Sequence, residues 1–158
     1  MLDLQQINQE FADKRPKDLI KHAIETHGKI AVSFSGAEDV ILVDMATKID
    51  PNVQVFCLDT GRLHPETYQF IDALTERLDL NLQVIQNPTS TAWFEARHGQ
   101  LWEKGIQGIE RYNALRKTNP LDQALSNLNI NTWFSGIRRN QSATRADKNF
   151  VEIKKSKL

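Results

Sequence analysis

Residues 29–40 read KIAVSFSGAEDV, and the architecture of the chain can be inferred outward from them. The first six residues are mostly apolar and predict a buried strand, after which a Ser-Gly turn opens a helix expected over residues 38–49. A helix that begins directly after a strand presents backbone N–H groups and the positive end of its dipole. These features favour an anion site, although a plain strand-to-helix turn with a serine cap has the same local pattern.

The alternation of strands and helices continues along the chain. Helices are predicted over residues 16–26 and 65–78, and residues 89–128 are rich in helical patterns. The predicted strands are residues 29–34 (KIAVSF), 53–58 (VQVFCL), 81–85 (NLQVI) and 131–135 (NTWFS). Strands that alternate with helices indicate an α/β fold, a parallel twisted sheet with helices on both faces. Ligands of such a sheet bind beyond the carboxyl ends of the strands, so the loops there hold the candidate site.

The composition restricts the class of protein. With 158 residues, 40% of them hydrophobic and 25% charged, the chain suits a single globular domain over residues 1–158. Because no apolar run is long enough to span a membrane and the N-terminal residues lack an export signal, we expect a cytoplasmic protein without membrane contact. Residues 138–158 hold seven Lys or Arg and two acidic residues, which also suits a solvated basic tail. Within them, residues 147–158 (DKNFVEIKKSKL) are a candidate strand.

The loop after the first strand offers hydroxyls and a flexible backbone. Ser33 and Ser35 supply the hydroxyls, and Gly36 permits a tight turn. The first turn of the helix follows, and acidic residues suit that position because of the helix dipole. The remaining candidates in this loop are Ala37, Glu38 and Asp39.

The loop after the second strand, residues 58–67 (LDTGRLHPET), is the second candidate. Asp59 can accept a hydrogen bond from a ribose hydroxyl or hold an arginine. Thr60 and Gly61 form a turn in which the glycine permits a positive φ, and Arg62 can reach an anion. His64, next to a proline that suits the start of a helix, is expected to be a surface residue rather than a catalytic one.

The segment after the fourth strand, residues 135–145 (SGIRRNQSATR), carries three arginines in eight residues. A guanidinium group donates two parallel hydrogen bonds to the oxygens of a phosphate or sulfate, and it keeps its charge at any physiological pH. A nucleic-acid surface is disfavoured because no aromatic residues are interleaved with the basic ones. The candidate ligands are Arg138, Arg139, Gln141, Ser142 and Arg145.

Cys57 is the one cysteine of the chain. A single cysteine cannot hold a zinc cluster or an iron–sulfur cluster, and no metal site is expected. Because it lies in an apolar run, we expect a buried and unreactive thiol. The aromatic residues Trp93, Phe94 and Trp102 are likewise expected to be packing residues rather than a platform on which a base stacks.

Taken in this order, the three loops resemble those of the phosphoadenylyl-sulfate (PAPS) and adenylyl-sulfate (APS) reductase family. That family belongs to the Rossmann-like adenine nucleotide α-hydrolase-like fold. The matching motifs are SFSGAEDV at residues 33–40, LDTGRLHPETY at residues 58–68, and R-x-x-Q-S-x-x-R at residues 138–145. The likeness extends through almost the whole chain, and three motifs in the same order are specific.

The resemblance implies the thiol-dependent reduction of PAPS to sulfite and adenosine 3′,5′-bisphosphate. It also implies external thioredoxin or glutaredoxin as the reductant, and a homodimer. APS-using members carry paired cysteines where this chain has Tyr112 and Asn113, so the chain is similar to the PAPS-using branch. No iron–sulfur cluster and no flavin is therefore expected, and the arginines of residues 138–145 are expected to bind the phosphates and the sulfate.

The chain departs from the family in one respect. Family members attack PAPS with a cysteine in a C-terminal E-C-G-L-H-like motif, which this sequence lacks. We therefore expect a C-terminally shortened chain that binds the nucleotide without turnover. A stand-alone nucleotide-binding module is one alternative, and an ATP-using enzyme with a PP-loop is another. The ATP-using enzyme is disfavoured because Ala37 and Glu38 follow Gly36, in place of the glycine and lysine of an SGGKDS-like loop.

Overall fold

The computed structural model of the protein describes residues 3–141 and 145–154. Its strands are β1 (Ile30–Phe34), β2 (Gln54–Asp59), β3 (Leu82–Gln86) and β4 (Thr132–Phe134). Its α-helices are α1 (Leu4–Phe11), α2 (Pro16–Thr26), α3 (Val40–Ile49), α4 (Pro65–Leu78), α5 (Thr91–His98), α6 (Gly105–Asn113) and α7 (Asn119–Asn127). The predicted alternation of strands and helices is confirmed.

The four strands form one parallel sheet in the order β3-β2-β1-β4. Val32 of β1 lies opposite Val55 of β2 on one side, and opposite Phe134 of β4 on the other. The chain moves outward from β1 to β3 and then returns to the far side of β1. The strand order therefore reverses between β1 and β4, where the loops after the two strands diverge and leave a crevice.

The side chains of β1 alternate between two apolar layers. Ile30, Val32 and Phe34 lie in a core shared with α2, α3 and α4, whereas Ala31 lies in a second core with Leu125 of α7. Helices thus cover both faces of the sheet, as the sequence predicts. Full burial of one such aliphatic side chain stabilises the fold by about 1.5–3 kcal/mol relative to exposure.

Predicted and observed boundaries differ by one or two residues. The strand predicted from residue 53 begins at Gln54, because the N–H of Val53 donates to the carbonyl of Asp50 (3.1 Å) and so belongs to the preceding turn. The helix predicted from residue 38 begins with a 3₁₀ turn over Ala37–Asp39 before α3. Pro16 and Pro65 open α2 and α4, where a missing N–H leaves no helical bond unmade.

The stretch between β3 and β4 is helical almost throughout. Ser90 caps α5 by accepting a hydrogen bond from the N–H of Trp93 (3.2 Å). A π-helical turn, Ala114–Thr118, joins α6 to α7 without a loop and carries Arg116 into the interior. In the part of the chain that the structure describes, no helix has the length and apolar character needed to cross a membrane.

Two expectations about packing are wrong. Trp93 is 58% exposed and lies under the guanidinium of Arg97, whereas Phe94 is buried as predicted. Described residues 147–154 form no strand. Instead, the side chain of Asn8 in α1 holds Val151, donating to its carbonyl (2.9 Å) and accepting from its N–H (3.0 Å). These two bonds satisfy the backbone that a neighbouring strand would otherwise pair.

Candidate functional site

A cavity of about 380 Å³ opens at the crevice between the carboxyl ends of β1 and β4. One wall is the loop after β1, and the other is the segment after β4. The residues of the first wall are Ser35, Gly36, Glu38 and Asp39. Those of the second are residues 135–137, Gln141 and Arg145. The cavity therefore lies where a parallel sheet of this order binds ligands.

Asp39 fixes the conformation of the loop after β1. One oxygen of its buried carboxylate accepts hydrogen bonds from the backbone N–H of Ser35 (2.8 Å) and from the Ser35 hydroxyl (2.5 Å). The N–H of Asp39 in turn donates to the carbonyl of Gly36 (3.1 Å). These bonds close the loop into a compact turn before α3, and the start of a helix is a position at which backbone N–H groups can bind an anion. Asp39 therefore organises the loop, a role distinct from direct binding.

The two walls meet at Gly136. A Cβ atom placed on Gly136 would overlap Oδ1 of Asp39 and lie 3.1 Å from its Cγ. Ser33 adds a second link, because its hydroxyl donates to the carbonyl of Phe134 (3.0 Å) at the end of β4. The hydroxyl of Ser33 is thus engaged with the neighbouring strand, and the backbone after β4 approaches closely only because residue 136 has no side chain.

Charged side chains cross the mouth of the cavity. The carboxylate of Glu38 accepts from Arg138 (2.6 Å) and from the side-chain amide of Gln141 (3.2 Å). Gln141 accepts in turn from Arg145. We call these four residues the mouth network. Two of its members are arginines, which suit phosphate or sulfate.

Not every predicted residue reaches this cavity. Arg139 is turned toward the C-terminal segment, where it donates to the carbonyl of Lys148 (2.8 Å) and lies over the ring of Phe150. Ala37 lies within the 3₁₀ turn between two lining residues. Ser142 lies outside the described residues.

The loop after β2 is held by internal contacts. Asp59 accepts from the N–H of Gly61 (2.7 Å), the hydroxyl of Tyr68 (2.8 Å) and the side-chain amide of Gln86 (2.8 Å). Burial acts to raise the pKa of Asp59, but these three hydrogen bonds and the charge of Arg116 together lower its pKa below the ordinary value. The carboxylate is therefore ionised and already accepts three hydrogen bonds within the protein. Its role as an acceptor for a ribose hydroxyl stays a prediction.

Arg116 joins the loops after β2 and β3. Its guanidinium is buried, with the residue only 3% exposed, and donates to the carbonyls of Thr60 (2.6 Å) and Thr89 (2.6 Å). Gly61, at φ +74°, leaves room for it, since a Cβ there would lie 3.2 Å from the guanidinium. The sequence shows Arg116 only as one of several basic residues, and its neighbours in the chain give no sign of its burial.

Arg62 is directed away from the cavity and toward the helical stretch. It forms an ion pair with Glu95 and stacks over the indole of Trp102, 4.3 Å from the ring centroid. Its candidate role as an anion ligand stays a prediction, because a ligand would have to displace both contacts.

Cys57 is buried in the core, as predicted, and is 2% exposed. Burial raises the pKa of its thiol to about 11, and the nearby charge of Asp59 acts in the same direction. The thiolate is therefore scarce at neutral pH and inaccessible. Within residues 3–141 and 145–154, no cluster of three His, Cys, Asp or Glu side chains could hold a metal ion.

Comparison with known proteins assigns the chain to a family. The phosphoadenosine phosphosulfate reductase domain matches residues 29–157, which include both walls of the cavity. The chain belongs to the phosphoadenosine phosphosulfate reductase family. It is 47% identical over 147 residues to a phosphoadenosine 5′-phosphosulfate reductase of Vibrio cholerae, and 46% identical over 153 residues to one of Xanthomonas campestris. These matches cover 92% and 95% of the chain, but 58% and 63% of the two relatives.

The fold of the reductase family is also seen in a solved structure. A crystal structure of the phosphoadenylyl-sulfate reductase of Candida auris, a phosphate complex, superposes with a TM-score of 0.75 at 22% sequence identity. The superposition covers 89% of this chain and 71% of that one. At this identity the likeness establishes the fold, and it agrees with the predicted parallel α/β architecture.

Proposed function

We propose that the chain forms the nucleotide-binding portion of an enzyme that reduces 3′-phosphoadenylyl sulfate to sulfite and adenosine 3′,5′-bisphosphate in sulfate assimilation. The observation that carries the proposal is the cavity between β1 and β4, where the start of α3 faces the arginines of the mouth network. Membership of the reductase family supports this choice of nucleotide. Because the chain spans less than two thirds of its bacterial relatives, the complete activity belongs to the proposal.

Each wall of the cavity binds a different anionic group of the nucleotide. The turn fixed by Asp39 presents the backbone of Gly36 and Ala37 to one group, since N–H groups at a helix start bind phosphate without a cationic side chain. Arg138 and Arg145 bind a second group through paired N–H donors. A phosphorylated and sulfated nucleotide carries anionic groups at both ends of the ribose, which matches a site with two kinds of donor.

The proposed chemistry is the transfer of a sulfonate group to a thiolate, followed by its reductive release as sulfite. A thiolate attacks the sulfur of the sulfate group, the bond from that sulfur to the 5′-phosphate oxygen breaks, and adenosine 3′,5′-bisphosphate leaves with the electron pair. The enzyme thiol then carries an S-sulfonate. A dithiol reductant attacks the enzyme sulfur, expels sulfite with the electron pair of the S–S bond, and closes its own disulfide to return the enzyme thiolate.

Cys57 is unsuited to the attacking role in this scheme. Its thiol is buried in the core between the sheet and helices α2, α3 and α4 and has a pKa of about 11, whereas nucleophilic attack needs an accessible thiolate. Since it is the one cysteine of the sequence, we propose that residues 1–158 bind the nucleotide and do not turn it over by themselves.

The wider assignments follow from the family resemblance. We propose thioredoxin or glutaredoxin as the dithiol reductant, a homodimeric enzyme, and action in the cytoplasm. We also propose that neither an iron–sulfur cluster nor a flavin takes part, because the scheme above moves its two electrons between sulfur atoms.

Calorimetric titration of the chain tests the ligand. We expect adenosine 3′,5′-bisphosphate and PAPS to bind more tightly than ATP, and Arg145→Ala to weaken both by about 1.5–3 kcal/mol if its contacts are charge-assisted. Arg97→Ala is the matched control, because Arg97 stacks on Trp93 outside the cavity. A preference for ATP would instead favour a PP-loop enzyme, and an unchanged affinity in Arg145→Ala would remove that residue from the site.

A sulfite-release assay distinguishes an active reductase from a module that only binds the nucleotide. With PAPS, thioredoxin and the 158-residue chain we expect no sulfite above the rate without protein. Sustained turnover that survives Cys57→Ser would show that another group attacks. Turnover that Cys57→Ser abolishes would assign the attack to Cys57. Either result would overturn the thiol assignment made above.

A further inference from the structure

We propose that Glu38 competes with the ligand for Arg138. Its carboxylate holds the guanidinium of Arg138 while the cavity is empty and lowers the affinity of the site for every anion that takes its place. The inference rests on the proposed function, since it concerns the same cavity. It assigns a competing role to an acidic side chain at a site built for anions.

The first observation is the convergence of two donors on one carboxylate oxygen. Arg138 donates to Oε2 of Glu38 at 2.6 Å, and Gln141 donates to the same oxygen at 3.2 Å. A guanidinium and an amide that converge in this way provide the donors that a phosphate oxygen requires. The carboxylate therefore occupies the place of a ligand anion.

The second observation is the position of this contact in the fold. Glu38 follows β1 and Arg138 follows β4, one hundred residues later, so the ion pair joins the two walls of the cavity. The surface ion pair of Lys48 with Asp44 differs, because it joins neighbouring turns of one helix. The Glu38 pair must therefore break or rearrange when a ligand takes Arg138.

The third observation is exposure, which sets how readily the exchange occurs. The side chains of Glu38 and Arg138 are 64% and 55% exposed, and ion pairs in water are held weakly. Breaking the pair costs the same free energy whichever anion takes Arg138, and the freed carboxylate repels a phosphate monoester, with nearly two negative charges, more than a singly charged group. Glu38 thus lowers the affinity for all anions, and lowers it at least as much for those of high charge.

Calorimetry on matched variants tests the proposal. Adenosine 3′,5′-bisphosphate, which has two phosphate monoesters, and adenosine 5′-phosphosulfate, which has none, are titrated into the wild-type chain, Glu38→Gln and Asp44→Asn. Glu38→Gln should bind both nucleotides about three- to fivefold more tightly, the upper scale of an exposed ion pair, and the gain for the bisphosphate should be at least as large as that for the phosphosulfate. Asp44→Asn removes the same charge from the exposed surface of α3, and both affinities should stay within about twofold of wild type. Unfolding midpoints show whether the variants fold alike.

The possible outcomes distinguish a failure of this inference from a failure of the proposed nucleotide-binding function. A wild-type chain that binds neither nucleotide overturns the proposed function and this inference together. A wild-type chain that binds both, with both affinities unchanged in Glu38→Gln or with a gain for the phosphosulfate alone, overturns the inference alone. Weaker binding by Glu38→Gln also overturns it, and would make Glu38 a group that positions Arg138 for the ligand.

Discussion

Gly136 packs directly on the carboxylate of Asp39, so that no Cβ atom can be accommodated between the segment after β4 and the loop after β1. The same carboxylate holds the backbone N–H of Ser35 at 2.8 Å. One aspartate therefore sets both the shape of the anion-binding turn and the distance between the walls of the cavity. The width of the site depends on a residue that has no side chain.

Gly136→Ala should damage both the fold and the site. The added methyl overlaps Oδ1 of a buried side chain that is already bonded to Ser35, so the walls must separate, at a cost of about 1–3 kcal/mol in the free energy of unfolding. Urea unfolding measures that cost, and calorimetry measures the accompanying loss of nucleotide affinity. Gly36→Ala is the control for stability. Its φ of 161° is extended backbone and a Cβ there meets nothing within 4 Å, so equal losses in the two variants would refute the steric argument.

Arg116→Met should destabilise the protein without placing any change in the cavity between β1 and β4. The substitution keeps an apolar stem but leaves the carbonyls of Thr60 and Thr89 without their donor, so we expect a loss of about 2–4 kcal/mol. Chemical unfolding of Arg116→Met beside Arg111→Met, an exposed position in α6, measures the difference. Losses of similar size in both variants would contradict the role of Arg116 as a brace between two loops.

The lowered pKa of Asp59 predicts a dependence of stability on pH. The folded-state pKa lies below the ordinary value of 3.8, so the contribution of this group is fully present above that value and is lost as the pH falls through the folded pKa. Unfolding free energies measured between about pH 2 and pH 7 should therefore decline more steeply below about pH 4 in wild type than in Asp59→Asn. Parallel curves for the two proteins would show that Asp59 has no special stabilisation in the folded state.

Cys57 should resist thiol reagents as long as the protein is folded. Its burial and its pKa of about 11 keep both the thiolate and the access of reagent low. Labelling with a disulfide reagent at pH 8 should be at least about a hundredfold slower in the native protein than in urea, since unmodified cysteine has a pKa of about 8.5. Labelling at similar rates in both states would contradict the burial and reopen the question of a nucleophilic Cys57.

The sequence predicts β1 and β2 well because these central strands are short apolar runs, whose burial on both faces leaves a clear pattern. The candidate loops follow from the same pattern, since each one begins where an apolar run ends. The burial of Arg116 could not be predicted, because the π-helical turn that brings it inward has no sequence signal. The contacts of Arg62 and Arg139 could not be predicted either, since their partners Glu95, Trp102 and Phe150 lie more than ten residues away in the sequence and share no motif with them.

The roles within the first loop also needed the structure. A serine, an acid and a glycine look alike as potential ligands in a motif, and only the geometry shows that Asp39 bonds to Ser35. Gly136 is one of seven glycines, and its requirement arises from a contact with a residue almost one hundred positions earlier. Contacts of this kind connect loops from separate strands and leave no local periodicity.

Mapping amide chemical shifts by nuclear magnetic resonance, as adenosine 3′,5′-bisphosphate is added to the ¹⁵N-labelled chain, locates the bound nucleotide. We expect the largest shifts at the amides of Ser35, Gly36, Ala37 and Gly136, where the start of α3 meets the segment after β4. The chain offers a clear rival, a cleft of about 510 Å³ between β3 and α7 that includes Gln86, Asn87 and Gln123. Shifts concentrated in that cleft, with the first set unmoved, would contradict the placement of the nucleotide between β1 and β4.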